Sequence, residues 1–365
     1  MSFVKISRYL ELLPEIYGIP FSELSIFKGN ERVYRYSAGD FPHGNKTMYR
    51  LYSMTKLSTV TATMQLIERG KLGLDDSLSK YLPAYEKMTV GKEGISAKNA
   101  ITIRHLLSMR SGIGADRNAS ALVRARENPK LTTRMLVDAL AECPLLFEPG
   151  TNWEYGYSHD VLGAVIEVVS DMRFGEYLDK EIFSPLEMQG VTFRPSEEQK
   201  SRLAPLYEFE CDTYTCRAAE QPRPLFSKKV EGGGGGLFAT HDEYAKLPVA
   251  IANGGVSENG YRILKPETIE MIKQNQMPPH EQHEFARMKP GYGYGLGVRT
   301  LVDQEDANGP APIGEFGWDG AASSYFMIDT ENKLSAVWTT HVLNCRPAYR
   351  EVHPHIRNLV YEACK

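Results

Sequence analysis

Residues 48–70, MYRLYSMTKLSTVTATMQLIERG, carry the strongest fold signal in the sequence. Ser53 ends an apolar approach and is followed three residues later by Lys56. Beyond the lysine, apolar side chains recur at helical spacing as far as Gly70, which offers a stop: Leu57, Val60, Met64 and Ile67. The pattern predicts a buried helix with Ser53 in its first turn, where the helix dipole favours negative charge on the hydroxyl oxygen.

The spacing Ser-x-x-Lys occurs four times, so it does not identify a site by itself. Residues three apart share a face of a helix but point to opposite faces of a strand. Ser25 lies in a strand-like stretch, Ser2 lies at a loosely held terminus, and Ser77 has the setting of an exposed helix cap. Only Ser53 opens a helical pattern that brings a lysine to its hydroxyl. Taken alone, the motif is more typical of a serine cap beside a solvated lysine.

The bulk composition is that of an ordinary globular protein. The 365 residues are 42% hydrophobic and 24% charged, with a net charge of −4, and a chain of this length can bury a large core. An acidic balance argues against a nucleic-acid partner and against a polybasic membrane role. No stretch approaches a transmembrane span, and residues 1–8 lack an uninterrupted apolar run, so a cytoplasmic location is expected.

The cysteines and histidines do not form a recognisable metal site. An odd number of cysteines without a tight framework favours free thiols in a reducing compartment: Cys143, Cys211, Cys216, Cys345 and Cys364. Cys211 and Cys216 could pair or bind a metal, but no second pair completes a zinc site. His353 and His355 are more typical of a helix entry than of a ligand pair. We therefore expect no metal and no cofactor.

The order of local patterns predicts an α+β fold. A helix at 3–17 precedes two strands near 21–28 and 31–38, joined by the hairpin signal Gly29-Asn30. Mainly helical patterns follow, with long connections: 103–109, 134–141, 161–169 and 174–182. Five consecutive glycines at 232–236 indicate either a flexible linker or a sharp bend against a neighbour. A helix near 241–253, several strands and a final helix near 355–363 complete the chain, the strands being 292–301, 314–318, 323–328 and 334–340.

Strands at both ends of the chain predict one antiparallel sheet, flanked by helices and formed by both termini. Residues 1–75 and 231–365 would make this sheet domain. Residues 76–230 would form a large, mainly helical domain inserted into it. We expect the active site at the interface of the two domains.

Four further stretches accompany the Ser53 helix in a fixed order: 101–112, 147–163, 233–240 and 317–322. They contain the segment from Ile101 to Gly112, Tyr155 followed by Asp160-Val161-Leu162-Gly163, the glycine run, and Gly317-Trp318-Asp319-Gly320-Ala321-Ala322. With these motifs the chain resembles the superfamily of serine β-lactamases and penicillin-binding proteins. It is most similar to the class C-like branch, which includes family VIII carboxylesterases. The resemblance covers nearly the whole chain and implies a β-lactamase/transpeptidase-like fold.

The resemblance also implies roles for particular residues. Ser53 would attack an acyl carbonyl and form an acyl-enzyme, while Lys56 and Tyr155 share its proton. A free lysine has a pKa of about 10.4, so which of the two acts as the base stays open. Tyr155 would protonate the leaving alcohol or amine. The backbone N–H groups of Ser53 and Ala321 would form the oxyanion hole. No Gly-x-Ser-x-Gly elbow is present, which excludes an α/β-hydrolase.

Two positions depart from the β-lactamase pattern. Tyr157 stands where those proteins often have asparagine, and Trp318-Asp319-Gly320 replaces Lys-Thr-Gly. The groups that hold a substrate carboxylate are therefore missing, which disfavours β-lactam turnover. Trp318 and Tyr157, with Gly320, predict an aromatic-walled pocket for an uncharged ester; the alternative is that both rings belong to the core. Asp319 would either repel anionic substrates or, by strand alternation, point away into a salt bridge.

The sequence thus predicts a serine hydrolase acting on a small acyl substrate, foremost a carboxylesterase on small neutral esters or a close acyltransferase. A D-stereospecific peptidase, a D-Ala-D-Ala carboxypeptidase or a weak β-lactamase is the second prediction. A catalytically silent, ligand-binding relative is the third, and the intact Ser53, Lys56 and Tyr155 count against it. The oligomeric state and the natural substrate stay open.

Overall fold

A computed structural model describes residues 2–39, 44–221 and 226–365. Within them the α-helices are α1 Val4–Tyr17, α2 Lys56–Glu68, α3 Ile103–Leu107, α4 Ser120–Arg126, α5 Thr133–Leu140, α6 Ser158–Ser170, α7 Phe174–Leu178, α8 Glu197–Ser201, α9 His241–Ala252, α10 Pro266–Lys273, α11 Pro279–Ala286 and α12 His353–Cys364. The strands are β1 Phe21–Lys28, β2 Glu31–Gly39, β3 Met48–Arg50, β4 Thr89–Val90, β5 Ile95–Ser96, β6 Leu206–Glu210, β7 Thr215–Ala219, β8 Phe238–Thr240, β9 Tyr292–Tyr294, β10 Arg299–Leu301, β11 Phe316–Asp319, β12 Tyr325–Asp329, β13 Leu334–Thr339 and β14 Val342–Leu343.

The main sheet has seven strands in the order β2-β1-β13-β12-β11-β10-β9. Every neighbouring pair in it is antiparallel. The first two strands of the chain pair with the last long strand, β13, so both ends of the chain build one sheet. The predicted α+β architecture, with an antiparallel sheet formed by both termini, is confirmed.

Helices cover both faces of this sheet. His241 at the start of α9 contacts Thr339 of β13, whereas His353 at the start of α12 packs against Trp338, the preceding residue of the same strand. Adjacent residues of a strand point to opposite faces, so α9 and α12 lie on opposite sides. Every residue of β13 is accordingly buried.

The region 76–230 is mainly helical, but it also contains strands that the sequence did not predict. β4 and β5 form a two-stranded ladder, and β6 and β7 join β14 in a three-stranded sheet. All of these strands are short, which leaves too few residues for a periodic pattern. In addition, β6 pairs with β14, which lies far along the chain. The domain boundaries at 75/76 and 230/231 stay a prediction. No helix among the described residues is long and apolar enough to cross a membrane.

The expected single strand at 292–301 is wrong in detail. It is a hairpin of β9 and β10, in which Gly295 donates to the Val298 carbonyl at 2.8 Å. Gly297 in the turn has a φ of 80°, a left-handed conformation that glycine adopts without steric cost. Leu296 and Val298 in this turn are buried, so the pattern of apolar residues continues through it without a break.

Candidate active site

Ser53 lies in a 3₁₀ turn, Tyr52–Thr55, that leads directly into α2. The residue before it, Tyr52, has a φ of 47°, which is strained for a bulky side chain and is typical of functional turns. The turn is anchored from behind, because Tyr244 donates from its hydroxyl to the Met54 carbonyl at 2.9 Å. Ser53 itself is half-buried, so its hydroxyl is fixed but reachable.

Lys56 contacts the serine as the sequence predicts. Its Nζ donates to Ser53 Oγ at 3.1 Å and also to the carbonyl of Gly234. The same ammonium lies 4.6 Å from the centroid of the Tyr155 ring. Lys56 is only 2% exposed, so one buried side-chain nitrogen lies close to both the serine and the tyrosine.

Tyr155 is held from its other side by Trp318. The indole Nε1–H of Trp318 donates to the Tyr155 hydroxyl at 3.2 Å, and the two rings stack at 5.7 Å with an interplanar angle of 19°. Tyr294 packs edge-on against Trp318 at 5.1 Å, and Trp153 packs against Tyr294 at 5.4 Å. Trp318 is buried while Tyr155 is half-buried. The aromatic cluster therefore orients the tyrosine and leaves part of its side chain exposed.

The two backbone N–H groups that the sequence predicts for an oxyanion hole have no acceptor of their own. Within the described part of the chain, neither Ser53 N nor Ala321 N donates a hydrogen bond. Gly320 brings the two segments together, since a Cβ on it would lie 2.6 Å from the Leu51 carbonyl oxygen. Glycine is required at this close approach. Two free N–H donors on segments in close contact are compatible with the oxyanion hole that the sequence predicts.

The glycine run 232–236 is a tight bend against neighbours, the second of the two sequence interpretations. A Cβ on Gly233 would lie 2.2 Å from the His159 carbonyl oxygen, and Thr59 donates to the Gly233 carbonyl at 2.7 Å. Asp160 accepts from the Gly234 N–H at 3.3 Å. Close packing of α2, α6 and this backbone is what aims the Gly234 carbonyl at the lysine.

Two titratable groups on α6 lie beside Lys56. Burial raises the pKa of Asp160, against the attraction of the Lys56 charge. Burial, reinforced by the same charge, lowers the pKa of His159 well below its usual value. His159 is fully buried, and neither of its ring nitrogens has a hydrogen-bond partner among the described residues. We therefore interpret His159 as a packing residue of the core and not as a base.

Tyr157 lies at the N-cap of α6 and is half-buried. Burial raises the pKa of its phenol, and Asp160 adds to the rise while Arg117 and Arg126 oppose it. The charged groups that act on Tyr157 are thus one carboxylate and two arginines. The structure does not stack it with Trp318, so the two rings predicted to wall one pocket have different surroundings.

Asp319 makes a buried salt bridge with Lys289. Burial alone would raise the pKa of Asp319, but the Lys289 charge holds it below its usual value. The side chains are 13% and 16% exposed, respectively. Of the two alternatives for this residue, the geometry favours the salt bridge that strand alternation predicts, and Asp319 therefore has its own counter-ion.

The other Ser-x-x-Lys serines have different surroundings. Ser25 lies in β1 and is fully buried. Ser77 is the N-cap of a short 3₁₀ helix. Its motif lysine, Lys80, forms a salt bridge with Asp76 at 3.0 Å, and the lysine ammonium does not hydrogen-bond to the Ser77 hydroxyl. Ser2 is exposed before α1. Only Ser53 among the four has its own motif lysine within hydrogen-bond distance, considering the residues that the structure describes.

Several residues of the site carried no sequence signal. The Gly234 carbonyl, Lys289 and Tyr349, whose hydroxyl donates to the Gly320 carbonyl at 2.9 Å, come from distant segments. A single sequence cannot pair such positions. Within residues 2–39, 44–221 and 226–365, no cluster of three or more His, Cys, Asp or Glu side chains is arranged to hold a metal, and the cysteines are free thiols.

The fold and this constellation define a serine hydrolase of the β-lactamase/transpeptidase class. The Beta-lactamase family model matches residues 6–359. The chain therefore belongs to that family, and the predicted relationship and the predicted class of enzyme are confirmed.

Named relatives include esterases. The chain is 27% identical to esterase EstB of Burkholderia gladioli over 82% of its own length and 79% of the relative's. It is 29% identical to the lovastatin esterase of Penicillium rubens, over 79% of this chain and 77% of the relative. Among solved structures, EstCE1, a hydrolase with promiscuous acyltransferase activity, superposes with a TM-score of 0.81 at 23% identity, covering 99% of this chain and 98% of that one.

Proposed function

We propose that this protein is a carboxylesterase that hydrolyses small neutral esters through an acyl-enzyme on Ser53. The observation that carries the proposal is that one buried nitrogen, Lys56 Nζ, lies within reach of both Ser53 Oγ and the ring of Tyr155. A serine hydroxyl is a weak nucleophile until an adjacent base removes its proton. The esterases among the relatives support the ester as the substrate class.

In the proposed acylation step, Ser53 Oγ attacks the ester carbonyl carbon, and its proton passes to whichever member of the Lys56–Tyr155 pair enters the step unprotonated, a neutral amine or a phenolate. The developing oxyanion accepts hydrogen bonds from the N–H groups of Ser53 and Ala321. The tetrahedral intermediate then collapses, the alcohol leaves, and Tyr155 supplies its proton. A water molecule repeats the sequence on the acyl-enzyme and releases the acid.

The neutral character of the substrate follows from the charges around β11. The strand carries Trp318 in place of a lysine, and the Asp319 carboxylate forms a salt bridge with Lys289. No group on this strand is therefore free to bind a substrate carboxylate, considering the described residues. β-Lactams carry such a carboxylate, so we expect them to be poor substrates.

Acyl transfer to an alcohol is the second candidate function. The aromatic cluster of Trp153, Tyr155, Tyr294 and Trp318 borders the proposed leaving-group side of the serine. An apolar wall favours an organic alcohol over water as the acceptor. The promiscuous acyltransferase activity of EstCE1 is in keeping with this alternative.

The test is a fluorophosphonate probe followed by a substrate panel. We expect the probe to label Ser53, with the adduct located by mass spectrometry, and p-nitrophenyl butyrate to exceed nitrocefin at least ~100-fold in kcat/KM. D-alanine p-nitroanilide reports the peptidase alternative, and added butanol reports transfer through formation of butyl butyrate. Comparable kcat/KM for nitrocefin and the ester, or an adduct on another serine, would contradict the proposal.

A further inference from the structure

The peptide unit that joins Gly320 to Ala321 has two ends with different partners. Its N–H belongs to Ala321 and is the proposed oxyanion donor, with no protein acceptor in the described part of the chain. Its carbonyl belongs to Gly320 and accepts from the Tyr349 hydroxyl at 2.9 Å and from the Ser323 N–H at 2.9 Å. Hydrogen bonds to the carbonyl of an amide polarise its N–H, because bonds in a chain strengthen one another.

The turn that carries this peptide is fixed from behind. Ser323 has a φ of 71°, a left-handed conformation that surrounding contacts must stabilise in a residue other than glycine. His353 donates from Nε2 to the Ser323 carbonyl at 2.7 Å, and the Ser323 hydroxyl donates to the Val342 carbonyl at 2.7 Å. Gly320 N donates to the Ser324 carbonyl at 2.8 Å. Two residues of the segment 347–353, Tyr349 and His353, thus hydrogen-bond to this turn.

Tyr349 is suited to act as a hydrogen-bond donor here. It lies in the π-helical turn Ala348–Val352 before α12, and its ring contacts His353 edge-on at 5.3 Å. Burial raises the pKa of its phenol, which keeps the proton on the oxygen. The hydroxyl is 3.0 Å from the Ala321 carbonyl as well. The hydroxyl has one proton and can donate it to the Gly320 carbonyl or to the Ala321 carbonyl. It therefore restrains the peptide units on both sides of Ala321.

We propose that Tyr349 is a positioning residue that orients and polarises the 320–321 peptide, so that the Ala321 N–H meets the oxyanion without reorganisation. The proposal rests on the function proposed above. It concerns a group that acts through the backbone and does not touch the substrate. A donor aimed in advance at developing charge stabilises the transition state more than the ground state.

The test is Tyr349→Phe, with Tyr361→Phe as the matched control. Tyr361 also lies near the C-terminus, is buried, and donates its hydroxyl to Asp329 at 3.0 Å, in a part of the sheet away from the turn. For Tyr349→Phe we expect kcat on p-nitrophenyl butyrate to fall about 10- to 100-fold with KM within about 3-fold, since a whole oxyanion donor is worth about 100- to 1,000-fold. Affinity for a butyl trifluoromethyl ketone, which forms an oxyanion on Ser53, should fall by the same factor.

For Tyr361→Phe we expect kcat and inhibitor affinity to stay within about 2-fold, even where its melting temperature falls. Unchanged kcat and inhibitor affinity in Tyr349→Phe would overturn the inference. Parallel losses in both variants that follow their melting temperatures would also overturn it, because they would mean a purely structural role. If the wild-type protein neither hydrolyses the ester nor takes the fluorophosphonate on Ser53, the proposed function fails, and the role of Tyr349 fails with it.

Discussion

Among the described residues, two serines have a basic side chain within hydrogen-bond distance of the hydroxyl, and only one has the setting of a catalytic group. Ser53 Oγ lies 3.1 Å from Lys56 Nζ, and Ser25 Oγ lies 2.8 Å from His241 Nε2. Serine with histidine is the commoner catalytic pair in general, so distance and residue type alone would favour the second. The surroundings of the two pairs reverse that preference.

The Ser25 pair is enclosed by the main sheet and α9. Ser25 is fully buried and His241 is 2% exposed, and the other imidazole nitrogen lies 2.9 Å from Thr339 Oγ1. Burial lowers the pKa of His241 to about 3. Ser53, in contrast, is half-buried, precedes a helix and has a backbone N–H without an acceptor among the described residues. A nucleophile needs an open face and a place for the oxyanion as much as it needs a base.

Ser53→Ala tests the comparison most directly. We expect kcat on p-nitrophenyl butyrate to fall roughly 10⁵-fold, about 7 kcal/mol in the barrier, because covalent catalysis is lost. Ser25→Ala should leave kcat unchanged and lower the free energy of unfolding by about 1–3 kcal/mol, since a buried imidazole nitrogen loses its partner. Steady-state kinetics and urea unfolding measure the two effects. A large loss of kcat in Ser25→Ala at unchanged stability would show that the assignment is reversed.

Lys56 and Tyr155 should behave as one unit with the serine. We expect Lys56→Met and Tyr155→Phe each to lower kcat roughly 10³-fold, about 4 kcal/mol. Residues that act together give non-additive losses, so the double variant should be little worse than the poorer single one. His241→Gln is the control from the other pair and should keep kcat within about 3-fold. Fully multiplicative losses in the double variant would mean that the lysine and the tyrosine have separate roles.

The salt bridge between Asp319 and Lys289 is a third polar pair to compare. Asp319 directly precedes the Gly320–Ala321 peptide, but its charge is balanced by Lys289. Asp319→Asn leaves a buried ammonium without its partner, so we expect the free energy of unfolding to fall by about 3 kcal/mol. The double variant Asp319→Asn/Lys289→Met should recover part of this loss. Chemical denaturation measures both. If Asp319→Asn instead keeps its stability and gains activity selectively on a carboxylate-bearing ester, the carboxylate repels substrate.

The last effect is confined to acid conditions and concerns unfolding. The folded pKa of His241 is about 3 and that of an unfolded histidine is about 6.5. Between pH ~6.5 and pH ~3, the imidazole is therefore protonated in the unfolded state and neutral in the folded state. Stability from this histidine is fully present above pH ~6.5 and is lost as the pH falls, at up to about 1.4 kcal/mol per unit. We expect the stability difference between wild type and His241→Gln to shrink from pH 7 to pH 4. A difference independent of pH would contradict a buried neutral His241.

Local rules accounted for much of the site. The i, i+3 spacing on a helix start selected Ser53 and Lys56 from four candidates, and the decoy Ser25 lies in β1 as its pattern predicts. Strand alternation correctly offered a salt bridge for Asp319. These features depend on neighbours within a few positions, so periodicity in one sequence is enough to find them. The ordered motifs were sufficient for the family as well.

Tertiary structure decided what depends on distant segments. The Gly234 carbonyl that accepts from Lys56 is 178 residues further along the chain, and Tyr349 reaches the Gly320 carbonyl from 29 residues away. The interpretation of the glycine run was settled by the close approach of Gly233 to α6. No local pattern encodes such contacts, because they form only when packing of the sheet and helices brings separate backbones within hydrogen-bond distance. The sequence by itself determined which groups are candidates for reaction, and the packing determined which partners surround them.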